Sequence, residues 1–114
     1  MHITCLEINN LSDISVLDLS IDNDFSVNAA SIKEVNQSVT NAFCAYYDED
    51  IMFDELVKSL EYYSGANADF IILTQQQIDY LNLMNDAITV GQKGQQIHLL
   101  KFSDDSLQKV FFNV

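Results

Sequence analysis

The sequence predicts a single α+β domain: a mixed, mainly antiparallel sheet of about five strands with three helices, in the order ββααβαββ. Three observations carry this prediction. Segments near both ends read as strands, with clear alternation over residues 14–21, and apolar residues in the middle recur at steps of three and four, as in helices. No proline-, glycine- or serine-rich stretch divides the 114 residues, so residues 1–114 are read as one domain. A chain of this length buries roughly two-thirds of the surface it exposes when unfolded, enough for a core without metal or disulfide staples.

The elements follow in order. Residues 2–8, HITCLEI, are rich in β-formers and predict a first strand. In residues 14–21, ISVLDLSI, Leu17, Leu19 and Ile21 fall on one face and Val16, Asp18 and Ser20 on the other. That is the alternation of a half-exposed strand, and the Asn9–Asp13 stretch between the two is turn-like, so an antiparallel hairpin is expected. Asp22-Asn23-Asp24 breaks the pattern. Over residues 31–47 the positions Ile32, Val35, Val39, Phe43 and Tyr46 make one helical stripe, and Ser31 and Glu34 have capping-box spacing. A second helix over residues 51–64 puts Phe53, Leu56, Val57, Leu60 and Tyr63 on its apolar side, with Gly65 placed for a left-handed cap.

Residues 69–74, DFIILT, suit a short buried strand. Thr74 and Gln77 are spaced to cap a helix over residues 75–88, whose stripe is Ile78, Leu81, Met84 or Asn85, and Ile88, closed by Gly91. Gly91-Gln92-Lys93-Gly94 is a turn. Residues 95–103 and 107–114 are then read as strands joined by Asp104-Asp105-Ser106, the apolar Val110-Phe111-Phe112 end being tied into the sheet.

Charge narrows the function. Seventeen acidic residues stand against five lysines, arginine is absent, and the net charge is −12. Such a surface repels nucleic-acid phosphates and anionic lipids and attracts basic proteins. Without a guanidinium to grip phosphate on two sides, a nucleotide site is disfavoured. Cys5 and Cys44 lie far apart in sequence and are expected to be free thiols in a reducing cytoplasm. The start lacks the basic segment and apolar core of a signal peptide, and no apolar run approaches the ~20 residues of a membrane span. A cytoplasmic protein without membrane contact is expected.

No catalytic, cofactor or metal set emerges. His2 and His98 both fall in predicted strands, and a Cys5–His98 or Cys44–His98 nucleophile pair lacks orienting groups and an oxyanion loop. Two histidines and two cysteines without local ligand spacing do not make a zinc site. The acidic loops Asp22–Asp24 and Asp48–Asp54 lack the central glycine and terminal glutamate of a calcium loop. The Gly91–Gly94 turn matches no phosphate-binding fingerprint.

The densest run of acid and aromatic side chains is residues 41–65, where Asp48-Glu49-Asp50 joins two helices between the pairs Tyr46-Tyr47 and Tyr62-Tyr63. Carboxylates oppose the partial charge at a helix C-terminus and suit an N-terminus, so the first helix is ended near Tyr47 and Asp50 is assigned as N-cap of the second. Tyr47 and Tyr62 fall off the apolar stripes, beside Asp48, Glu49, Asp54, Glu55 and Glu61. Tyr47, Asp48, Glu49, Asp50, Asp54, Glu55, Glu61 and Tyr62 are therefore the predicted partner-binding residues, tyrosine supplying contact area and carboxylate supplying steering. The expected function is a small non-enzymatic inhibitor of the immunity type, neutralising a basic, nucleic-acid-active protein such as a toxin nuclease. The alternatives are a phage-type acidic nucleic-acid mimic that blocks a defence complex (anti-CRISPR or anti-restriction), and a structural or adaptor subunit. A duplex mimic needs carboxylates spaced like phosphates along one face, and the chain has no long acidic run.

Overall fold

The structure, a computed structural model, describes residues 2–24, 26–33, 37–81 and 86–112. Strands β1 (His2–Asn10) and β2 (Asp13–Ile21) form the expected antiparallel hairpin. Its turn is held by side chains: Asn10 Oδ1 accepts the Ser12 N–H at 2.8 Å, and Asn9 donates to the Asp13 carboxylate at 2.9 Å. Cross-strand partners sort the residues by face. Leu6 lies opposite Val16 and Ile8 opposite Ile14 on one side, Cys5 opposite Leu17 and Ile3 opposite Leu19 on the other.

The chain departs from the predicted order at β3, Val27–Lys33, which pairs antiparallel with β2. The helix read over residues 31–47 is shorter, α1 spanning Gln37–Tyr47. Ser31 lies opposite Asp18 in the ladder instead of capping a helix, and Glu34 and Val35 lie outside the described residues. The unpaired backbone groups along β2 are satisfied by a neighbouring strand, and that outweighs a helical spacing carried at Ile32 by one apolar residue. A bulge at Ala30, between the pairs Asp18–Ser31 and Leu19–Ala29, adds local bend and twist.

Next come α2 (Phe53–Ser64), β4 (Phe70–Leu73) and α3 (Gln75–Leu81). Gly65 is the left-handed cap of α2, with φ 70° and its N–H donated to the Glu61 carbonyl. The Thr74–Gln77 box forms reciprocally, at 2.9 and 3.1 Å. The helix expected over 75–88 does not reach Ile88, which begins β5 (Ile88–Val90); Met84 and Asn85 lie outside the described residues. Gly91 accordingly opens the turn between β5 and β6 (Ile97–Lys101) and closes no helix.

A third correction is at the C-terminal end, where the strand expected over 107–114 is helical as far as the described residues run. Helix α4 (Asp104–Leu107) runs on as a π-helical turn, Gln108–Phe112, and residues 113–114 lie outside the described set. Ser103 caps it, accepting the Ser106 N–H while the Ser106 hydroxyl accepts the Ser103 N–H, and Asp104 and Asp105 occupy the first turn. These cap signals, with Leu107 fully buried, outweigh the β-propensity of the residues that follow.

The described residues thus form one α+β unit with six strands, not about five, and four α-helices, not three. The sheet order is β3-β2-β1-β4-β6-β5, antiparallel except for the parallel β1–β4 pair. Leu6, Ile8, Ile14, Val16, Ile71, Leu73 and Leu100 meet residues of all four helices, among them Phe43, Leu56, Leu60, Ile78 and Leu107, in the main core.

The opposite face of the sheet receives no helix among the described residues, yet Cys5, Leu19 and Leu99 on it are 0–2% exposed. The sheet covers them itself. Ile3, Val27, Phe70, Ile72, Val90 and Ile97 pack around them, so all six strands supply this second core. Its two edges approach each other: a Cβ on Gly91 would lie 3.2 Å from Val27 Cγ2, and Gln92 donates to the Asp24 carbonyl at 2.8 Å. The Asp24 carboxylate accepts the Ser26 N–H at 3.1 Å, which holds its pKa below the usual carboxylate value and steadies the loop that meets Gln92.

Candidate partner-binding surface

The α1–α2 connection is built by the end of α1. The Asp50 N–H returns to the Ala45 carbonyl at 2.8 Å and the Glu49 N–H to Tyr46 at 3.1 Å, the two bonds of a Schellman closure. Glu49 takes the left-handed position, φ 63°, that glycine usually fills. Asp50 is therefore not the N-cap of α2; its N–H is committed to closing α1. That place belongs to Met52, in extended conformation and without a side-chain cap bond. Asp54 and Glu55 do lie in the first turn of α2.

Left-handed backbone costs an L-residue about 1–2 kcal/mol, and glycine's unfolded-state entropy offsets about 0.5–1 of the relief. Glu49→Gly is thus expected to raise stability by about 0.5–1 kcal/mol, read as a higher urea midpoint.

All eight predicted partner-binding residues are exposed. Tyr47, Asp48, Glu49 and Asp50 form the corner. Asp54, Glu55, Glu61 and Tyr62 continue it along the outer face of α2, because residues seven apart on a helix nearly coincide in direction. Lys58 lies on the same stripe. Tyr62 is 80% exposed, its ring edge-on to Tyr63 at 4.9 Å. Tyr63, expected on the apolar side, is itself 44% exposed: it lines a shallow groove between the helices with Ala42, Ala45 and Ile51.

Beside the corner is a concavity that the sequence did not disclose. Tyr46, Tyr47, Glu49, Ile51, Met52, Phe53, Asp104 and Gln108 line an open groove of about 600 Å³ between the α1–α2 turn and α4. Tyr46 meets Phe53 edge-on at 6.0 Å, and Phe53 leans on Phe102 at 5.4 Å. The Tyr46 hydroxyl donates to the Asp104 carboxylate and accepts from Gln108 Nε2 at 3.2 Å, tying the end of α1 to the start of α4. Asp104 and Gln108 were missed because the segment was read as a turn and a strand. The Ser103-Asp-Asp-Ser106 cap pattern was the signal that could have placed them.

The other candidates are kept apart. Cys5 lies in the second core, where burial first, then the Asp69 and Asp18 carboxylates, pushes its thiol up to about 12. His98 projects from the helix-covered face of β6, its ring nitrogens 2.9 Å from Thr89 Oγ1 and 2.9 Å from Gln75 Oε1. The sheet therefore separates it from Cys5. Cys44 is half-buried, its sulfur 3.8 Å from the Leu11 carbonyl, and both cysteines are free. Among the described residues no cluster of His, Cys, Asp or Glu is arranged to hold a metal ion, and no helix is long and apolar enough to cross a membrane. No protein-family model matches the chain, and no match is found to a curated protein or to a solved structure.

Proposed function

We propose that this is a non-enzymatic, acidic binding protein that covers the basic surface of a nucleic-acid-handling partner, as an immunity protein covers a toxin nuclease in the cytoplasm. The observation that carries this reading is the continuous surface from Tyr47 down the outer face of α2, where six carboxylates (Asp48, Glu49, Asp50, Asp54, Glu55 and Glu61) face one ammonium, Lys58. Exposed Tyr47, Met52 and Tyr62 interrupt the acid. That mixture suits a protein interface, with aromatic anchors among steering charges, better than a surface of phosphate-like carboxylates alone.

The test is inhibition of a basic nuclease, sought first in the product of the adjacent gene. Association should slow steeply as salt rises, since the charges steer the encounter. The combined variant Asp48→Lys, Glu49→Lys, Asp54→Lys and Glu55→Lys should weaken binding by about a hundredfold or more, through lost attraction and new repulsion, with the circular dichroism unchanged. Unchanged affinity would move the interface elsewhere on the molecule. Direct, salt-resistant binding to DNA or RNA would overturn the reading.

A further inference from the structure

We infer that the groove between the α1–α2 turn and α4 anchors an arginine side chain presented by the partner protein, a refinement that rests on the reading just given. The groove combines the two halves of an arginine receptor. Tyr46, Ile51, Met52 and Phe53 offer apolar and aromatic surface for a methylene stem and a flat cation, while Glu49 and Asp104 place carboxylates in the same lining. Guanidinium stacks on aromatic rings and forks onto carboxylate oxygens, which an ammonium cannot do in the same way.

Three features show that the site is built and is not a chance patch of acid. Glu49 is fixed by the Schellman closure of α1, and Asp104 by the Ser103-capped start of α4 and the Tyr46 hydroxyl, so both carboxylates are carried on ordered backbone. Among the described residues no lysine side chain lines the groove, and Glu49 and Asp104 are its charged groups. Met52 and Tyr47 stand 72% and 49% exposed at its edge, apolar surface that a docked segment would cover. The volume of about 600 Å³ falls within the roughly 300–1,000 Å³ of ligand pockets, enough for one long side chain and the backbone that carries it.

The occupant is a residue within a polypeptide, because Tyr47 and Glu49 belong both to the groove and to the exposed surface proposed to meet the partner protein. The experiment is a titration of the ¹⁵N-labelled protein, followed by NMR, with capped Gly-Arg-Gly, the matching lysine and citrulline peptides, and free arginine. Saturable shifts confined to the amides of Tyr46, Glu49, Met52, Phe53 and Gln108 are expected with the arginine peptide. The lysine peptide and free arginine should bind more weakly, and the uncharged citrulline peptide about tenfold more weakly or worse, as for loss of a charge-assisted hydrogen bond. Glu49→Gln combined with Asp104→Asn should abolish saturation, and Met52→Ser, at an exposed side chain, should weaken it. Asp79→Asn, at an exposed carboxylate of α3 outside both the groove and the proposed partner-binding surface, should leave it unchanged.

Equal binding of the citrulline peptide, shifts spread along the α2 carboxylates, or no shift at all would each overturn the assignment. Loss of the groove with nuclease inhibition intact would leave the broader reading standing. Saturable arginine binding in a protein that inhibits no nuclease would keep the groove and remove that reading.

Discussion

Alanine at Gly91 is expected to destabilise the protein by about 2–4 kcal/mol, whereas alanine at Gly65 should cost only about 1. Both glycines have positive φ, 104° and 70°, so both substitutions strain the backbone. They differ in what surrounds them. A Cβ at Gly65 meets nothing within 4 Å, while one at Gly91 would lie 2.7 Å from the Gln95 carbonyl oxygen and 3.2 Å from Val27 Cγ2. The carbonyl belongs to the backbone of the β5–β6 turn and cannot step aside as a flexible side chain would. Val27 lies where the two edge strands of the curled sheet approach, so relief by moving it opens the second core. Urea unfolding of the two variants measures the difference. Equal losses would mean that the edges are not packed against each other at this point.

That closure also explains what the sequence could and could not show. The β1–β2 hairpin, the Thr74–Gln77 box, the Gly65 cap and the end of α1 at Tyr47 were legible because each depends on residues only a few positions apart. β3 was not. Ile32 fits the stripe of the following helix as well as it fits a strand, and the deciding partner, Leu17 on β2, is far away in sequence. The second core was illegible for the same reason. Alternation in β2 shows two faces but not that the unhelical one is covered by curling.

The candidate site divides along the same line. Exposure of Tyr47, Tyr62 and the α2 carboxylates could be read from helical periodicity, since the outer face of a helix is fixed by the position of its buried one. The groove could not, because it needs α4 to return against Tyr46, some 58 residues earlier in the chain. At Val110-Phe111-Phe112 high β-propensity competed with the cap at Ser103 and the acidic first turn that follows. The cap won, with Leu107 driven into the main core. Asp54 and Glu55 stand in the first turn of α2, where the helix dipole favours them, whereas Asp50 is held in the closure of α1, two residues ahead of the Met52 cap.

Above pH 9 the protein is expected to lose stability through Cys5, by about 1.4 kcal/mol for each further pH unit. The thiol is raised from its ordinary 9.0 to about 12, by burial first and then by the Asp69 and Asp18 carboxylates. In the unfolded chain it ionises near 9, while in the folded protein it keeps its proton. Between these values the unfolded state binds fewer protons than the native one, so the stability curve slopes downward; below pH 9 both states are protonated and the effect vanishes. The measurement is the difference between the native sequence and Cys5→Ala, in urea unfolding from pH 8 to about 11, in which contributions common to both proteins cancel. The variant should lose stability at neutral pH through its smaller side chain, and its deficit should shrink as pH rises because it has no thiol to ionise in the unfolded state. A thiol reagent gives an independent readout: half-buried Cys44 should react first, and Cys5 only as fast as the sheet opens. A deficit that stays constant with pH, together with rapid labelling of Cys5, would mean that water reaches the face of the sheet that carries no helix, and that the curl does not seal it.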